Sequence, residues 1–196
     1  MKRILLALSM AALFCTAGLA FENFQEAYES GMAKTEGFGN FKEAREDFDK
    51  ALSLAKKPAE KAQAVFQTGE TFYLEGDTEQ ARKEYARIMK MEKVTAPYIA
   101  QAQLRIADTF AVDKNYQQAR REYLKVLAMP GKIGNTRERR YGSVPRLEAQ
   151  YKIGEMYRTE GHYEKAKEEF RKIMEMEEAS DDDKLEAKYR IISIYR

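Results

Sequence analysis

Four segments of the chain carry one spaced signature, and that regularity constrains the fold more than any other feature. They read Phe41-Ala44-Phe48-Ala51-Leu52, Thr78-Ala81-Tyr85-Ile88-Met89, Tyr116-Ala119-Tyr123-Val126-Leu127 and Tyr163-Ala166-Phe170-Ile173-Met174, each at offsets 0, 3, 7, 10 and 11. On an α-helix those offsets share one face, so every unit presents an obligatory small residue beside an aromatic one. A unit of this size cannot bury its apolar face alone. The units must therefore stack into an array, whose extended surface is then open to partners.

Composition suits a helical array. The 196 residues are 34% charged and 44% hydrophobic, with 4 Pro, no Trp and one Cys, which excludes a disulfide scaffold and a disordered chain. One elongated domain is expected. The 34 Lys+Arg nearly balance 32 Asp+Glu, and removing Lys2 and Arg3 leaves 32 against 32. A near-neutral chain is a poor ligand for nucleic acid, which is not expected as a partner.

The first 20 residues read as a signal peptide. Lys2-Arg3 form a basic start, Ile4 to Phe14 an apolar stretch, and Gly18-Leu19-Ala20 a peptidase site before Phe21. A periplasmic or secreted protein is expected, with no membrane span after cleavage and 21–196 as the repeat domain. The uncharged run from Ile4 to Phe21 leaves an uncleaved anchor as the alternative, weakened by Thr16, Ala17 and Gly18. Leu13 and Phe14 stand where a lipoprotein signal before Cys15 would want small residues. Loss of Cys15 leaves a mature chain without cysteine, compatible with an oxidising compartment.

Upstream of each signature lies a second kind of helix. Thr68-Gly69-Phe72, Ile106-Ala107-Phe110 and Ile153-Gly154-Tyr157 each place a small residue where the following helix can pack close. Pro58, Pro97 and Pro145 stand just ahead of these helices, and Gly37, Gly39, Gly76 and Gly161 are expected in the turns between paired helices. The pattern predicts helices at 22–35, 41–55, 59–74, 78–91, 97–112, 116–128, 146–159, 163–177 and 182–196.

The segment from Ala149 to Met174, AQYKIGEMYRTEGHYEKAKEEFRKIM, resembles a tetratricopeptide repeat (TPR), with its Gly-x-x-aromatic before the turn and Ala followed by an aromatic after it. The resemblance covers 25–196, with repeats near 25–61, 62–99, 100–146 and 147–184 and a terminal helix at 185–196. It is loosest in the first repeat, at Gly31-Met32 and Thr35. It implies an all-α, right-handed superhelix of stacked antiparallel helix pairs, an α-solenoid of about four pairs plus a C-terminal helix. Two features depart from the standard unit. The signatures start at 41, 78, 116 and 163, spacings wider than the ~34 residues of the standard repeat. Val65, Gln103 and Gln150 stand where the family has its first aromatic. Wider spacing is similar to that of exported bacterial members associated with the cell envelope.

The resemblance places the upstream helices along a concave groove. Phe66, Glu70, Tyr73, Leu104, Arg105, Asp108, Tyr151, Lys152, Glu155 and Arg158 are the residues expected to bind a partner there, with Tyr189 continuing the aromatic row. The same charges could instead form ion pairs on a solvated face, such as Arg105 with Asp108 and Lys152 with Glu155. Acids replace the Asn needed by the family's chaperone-tail clamp. Between the third and fourth repeats, Lys132, Arg137, Arg139 and Arg140 form a basic loop, either a grip for an acidic partner or a solvated connection. At the far end Ile192 takes the place of Gly154, which would obstruct a following helix. The C-terminal helix is therefore expected to meet a second copy or a partner chain, or to lead into further polypeptide.

The sequence carries no constellation for catalysis. His162 is the only histidine, Asp181-Asp182-Asp183 lacks the spacing of a calcium loop, and neither a phosphate loop nor a zinc spacing occurs. No catalytic residue, metal or cofactor is expected. The expectation is a non-enzymatic scaffold that binds a peptide or protein in its groove, in cell-envelope assembly. A cell-wall glycan or other small ligand stacked on groove aromatics is the alternative.

Overall fold

Helix boundaries follow the caps and prolines of the sequence. The computed structural model describes residues 21–130 and 144–194. Among them are α1 (Phe24–Phe38), α2 (Phe41–Leu54), α3 (Pro58–Glu75), α4 (Thr78–Met89), α5 (Ala96–Val112), α6 (Tyr116–Ala128), α7 (Pro145–Thr159), α8 (Tyr163–Glu175) and α9 (Asp181–Ser193), with no strand. The signal peptide expected at 1–20, the basic loop of Lys132, Arg137, Arg139 and Arg140, and Tyr195 and Arg196 lie outside the described residues. Asn23, Asp77 and Asn115 each accept a hydrogen bond from the third backbone N–H beyond them. Ser180 and Asp183 form the expected capping pair at the start of α9.

One turn prediction fails. Gly37 lies inside α1, and the reversal falls to Gly39 at φ 63. The later turns use Gly76 and Gly161 in the same left-handed region, where Lys114 substitutes for glycine at φ 59.

The helices pack as α1/α2, α3/α4, α5/α6 and α7/α8, with α9 against α8, and α1, α3, α5 and α7 also meet in sequence. This is an all-α solenoid. Ala44, Phe48, Ala81, Tyr85, Ala119, Tyr123, Ala166 and Phe170 are all wholly buried, so the signature face is the core. Successive clusters share helices. One joins α3, α4 and α5, the next α5, α6 and α7, and another α7, α8 and α9, so neighbouring pairs share their core.

The small residue of each upstream helix decides how closely the pair approaches. A Cβ on Gly69 would stand 2.6 Å from the Tyr85 ring, and one on Gly154 the same distance from Phe170. Gly31 meets Phe48 at 2.6 Å in the first repeat, so the repeat that matches least well in sequence still keeps this contact.

Successive repeats are clasped by a second device. The arginine at offset 4 of each of the first three signatures lies over an aromatic of the next upstream helix. Arg45 stands 4.3 Å from the centroid of Phe72, Arg82 4.6 Å from Phe110 and Arg120 4.4 Å from Tyr157. Each guanidinium also reaches an acid three residues beyond that ring: Glu75 at 2.5 Å, Asp113 at 2.7 Å, and Glu160. Stacking and ion pairing on a planar cation are together worth about 1 kcal/mol per joint at this exposure.

At the end of the array α9 leaves a face uncovered. Leu185, Tyr189 and Ile192 are 49%, 61% and 54% exposed, as expected for a helix with Ile192 in the glycine position.

Replacing Gly69 or Gly154 by alanine forces a methyl into a buried ring and should destabilise the protein by about 1–3 kcal/mol. Gly37→Ala, with nothing within 4 Å of the new Cβ, is the control and should be neutral or mildly stabilising. Chemical-denaturation midpoints measure the difference.

Candidate functional site: the wall of upstream helices

Because α3, α5 and α7 lie side by side, residues of equal register on them form one continuous wall. Its centre is a set of charges that satisfy one another. Arg105 on α5 pairs backward with Glu70 on α3 at 3.1 Å and along its own helix with Asp108 at 3.1 Å. Lys152 on α7 reaches Asp108 at 3.4 Å, and Arg190 on α9 reaches Glu155 on α7. Acid and base thus alternate across helices as well as along them.

Two tyrosines from the signature helices enter the same network. Tyr85 donates its hydroxyl to Glu70 and Tyr123 donates to Asp108, each at 2.5 Å. Burial, then the neighbouring carboxylate, pushes both phenols far above their usual range. Phe170 has no hydroxyl to give, and Glu155 takes Arg158 at 2.7 Å in addition to Arg190. Burial works against the Arg105 cation, but Glu70 and Asp108 more than offset it and raise its pKa.

These contacts sort the residues expected to bind. Leu104 is wholly buried and Asp108 is 3% exposed, so neither belongs to the free surface of this chain. Arg105 pairs with Asp108 as the solvated-face reading expects, whereas Lys152 goes to Asp108 of the preceding repeat rather than along its own helix. Phe66 leans on Tyr85 with centroids 5.5 Å apart. Tyr151 packs on Phe170 at 6.3 Å and donates its hydroxyl to the Asp183 carbonyl at 2.5 Å, tying α7 to α9. Burial and then Asp183 push the Tyr151 phenol up to about 12. Tyr73 is half-buried among Asp108, Lys152, Arg105 and Glu70, and burial raises its pKa. Lys152 and Arg158 remain the most available members of the set, with half-buried Tyr73 beside Lys152 and exposed Tyr189 at the end of the row.

The departures from the repeat pattern at Gln103 and Gln150 have a physical role. The Gln103 side-chain amide donates to Glu122 at 2.8 Å and the Gln150 amide to Glu169 at 2.7 Å, each joining the two helices of its pair. Burial opposes ionisation of Glu122, but hydrogen bonds from Lys125, Gln103 and Gln118 outweigh it and depress the pKa. A metal site is absent: no group of three or more His, Cys, Asp or Glu among the described residues could hold an ion. His162 lies exposed at its turn, edge-on to Tyr157 at 6.3 Å.

With this geometry in place, two family models described as tetratricopeptide repeat match the chain, at residues 147–180 and 63–91. Both matches support the tetratricopeptide-repeat family. They fall on α7/α8 and α3/α4, two of the three pairs with a glycine against the aromatic. Among solved structures, the Rap protein complexed with competence and sporulation factor is similar at 18% identity and a TM-score of 0.59, covering 91% of this chain and 49% of that one. The TPR domain of P58(IPK) matches at 18% identity and a TM-score of 0.47, over 89% of this chain and 47% of that one. The chain spans about half the length of the solved structures it matches. No curated protein matches it.

The depressed Glu122 pKa fixes a pH dependence. Its contribution to stability is present above the unfolded glutamate value, about 4.3, and is lost as the pH falls through the lower folded value. Gln103→Leu removes one donor, so the Glu122 titration midpoint, followed by carboxyl carbon NMR, should rise toward that value.

Proposed function

We propose that this chain is an exported scaffold, periplasmic or secreted, that holds a peptide or protein segment along the wall of α3, α5, α7 and α9 and takes part in assembling the cell envelope. The observation that carries the reading is the continuity of that wall. Basic residues of one register, Arg105, Lys152 and Arg190, line up across successive helices, and Tyr73 lies among Arg105, Asp108 and Lys152, so a segment crossing the wall would pass from Tyr73 to Lys152 and Arg158. No catalytic constellation competes with binding as the use of this surface, and proteins of the tetratricopeptide family act as interaction scaffolds. Export follows from the sequence of residues 1–20. No helix among the described residues is long and apolar enough to cross a membrane.

The internal pairing dictates how the reading must be tested. Reversing Arg105 would face Glu70 and buried Asp108 with a third acid, and truncating Tyr151 would loosen α9, so both confound binding with folding. Tyr73→Ala with Arg158→Glu leaves both of those contacts in place, and Arg158 is exposed. Crosslinking in the exporting cell, followed by mass spectrometry, identifies the partner. The double variant should lose it by about ten-fold or more if these side chains are interface hot spots, with an unchanged circular-dichroism melt. Undiminished capture would overturn the groove reading. Glycan binding is the second reading, resting on Tyr73 and Tyr189 because the rings of Phe66 and Tyr151 are engaged internally.

We further propose that the uncovered face of α9 meets a second copy. Ile192 holds the position where a Cβ on Gly154 would stand 2.6 Å from a ring, so it would obstruct a following helix packed as α8 packs on α7. Antiparallel pairing of two α9 helices instead sets Leu185 opposite Ile192 and brings the first-turn acids Asp181 and Asp182 toward the basic end at Arg190. Light scattering should find a dimer at micromolar concentration that Tyr189→Lys with Ile192→Asp converts to monomer. A monomeric wild type would refute the pairing.

A further inference from the structure

Away from the wall, the connection from α2 to α3 and the connection from α4 to α5 come together beside the first turn of α3. Between them lies a cavity of about 340 Å³, with Lys56, Lys61 and Lys93 around it and Pro58, Met91 and Val94 as its apolar lining. Its volume falls in the range of ligand sites, roughly 300–1,000 Å³. Glu92 is the single acid that lines it, leaving three ammonium groups against one carboxylate.

The cavity is held by elements that do not move freely. Glu60 folds back to accept from the backbone N–H groups of Lys56 and Lys57 at 2.9 and 3.1 Å, fixing the turn that carries Lys56 and Pro58. Those two hydrogen bonds depress the Glu60 pKa, so its charge is committed to the helix start. Met91 and Val94 pack against the cluster of Ala62, Val65 and Tyr85 and anchor the second connection. Lys93 between them adopts φ 60, which costs a residue with a Cβ roughly 1–2 kcal/mol. None of Lys56, Lys61 and Lys93 is ion-paired among the described residues, unlike the cations of the wall. A strained lysine and two others around a fixed apolar floor form a surface with an unmatched positive charge.

We propose that this cavity is a second contact for the scaffold's partner and takes an acidic polypeptide segment, a carboxylate side chain next to an apolar one. The carboxylate lies among Lys56, Lys61 and Lys93, and the apolar neighbour rests on Pro58, Met91 and Val94. Each ammonium group, on its flexible stem, can turn a donor toward a carboxylate oxygen. The proposal rests on the reading of the chain as a polypeptide-binding scaffold, but it places this contact outside the wall.

The test uses the full chain and two synthetic probes, acetyl-Leu-Glu-Phe-Asp-Leu-amide and its uncharged counterpart acetyl-Leu-Gln-Phe-Asn-Leu-amide, with inorganic phosphate as a third arm. The acidic peptide should shift the NMR resonances of Met91, Lys93 and Val94 and bind at least about five-fold tighter than the amide peptide, with an advantage that shrinks as salt is raised. Lys61→Glu with Lys93→Glu should weaken it about ten-fold or more, and the neutral set Lys56→Gln, Lys61→Gln, Lys93→Gln should do so if the charge-reversed variant fails to fold. Equal binding of the two peptides, or acidic-peptide binding that survives these substitutions, would overturn the proposal. Phosphate that shifts the same resonances at the same concentration would show a free-anion site instead, and overturns the polypeptide assignment. Tyr73→Ala with Arg158→Glu should leave the probe's affinity unchanged, so a failure of the groove reading and a failure of this one are separately visible.

Discussion

The distance between the two helices of a pair is the constraint on which the rest of the array depends. Gly31, Gly69 and Gly154 let an aromatic ring lie against bare backbone, at a separation that a single methyl would violate. Once that approach is set, the signature's alanine and its residue at offset 10, Ala51, Ile88, Val126 or Ile173, are buried with the ring, and the tyrosine hydroxyl of the second and third repeats arrives within reach of an acid on the upstream helix. The polar network of the wall is thus downstream of an apolar contact. In the third repeat Ala107 takes the glycine's place and Tyr123 still reaches Asp108, so a small residue of either kind suffices to bring the phenol to its acid.

Much of this was legible in the sequence because the packing signal is periodic and local. Offsets of 3, 7 and 10 identify a helix face without knowledge of what lies against it, and prolines and cap residues bound the helices to within a few positions. Gly37 was misplaced because glycine is a turn residue only where φ must be positive, and Gly39 two residues later meets that need. The wall was less legible. Register put Leu104, Arg105 and Asp108 on the correct helix and near one another, but exposure depends on how neighbouring repeats close over them, which no single helix encodes.

Three other features were in the sequence without being recognised. Arg45, Arg82 and Arg120 recur at one offset of the signature, and their aromatic and acidic targets recur a repeat later. The separation of target from arginine crosses a repeat boundary, so a search confined to one helix pair cannot find it. Gln103 and Gln150 looked like defects in the family pattern, yet each is matched by a glutamate on the paired helix. Around the cavity, Lys56 and Lys93 come from two connections and Lys61 from the first turn of α3, and connections carry no periodicity to read.

The joints between pairs combine two kinds of force. Clusters of buried side chains shared by successive helices hold each pair to the next, and ionic strength hardly touches them. The arginine clasps and the alternating acids and bases of the wall lie over that core, nearer the surface, where salt screens them. Added electrolyte would therefore loosen the outer rim of each joint while the core keeps the pairs in register, a hinge with a fixed pin and a tunable edge.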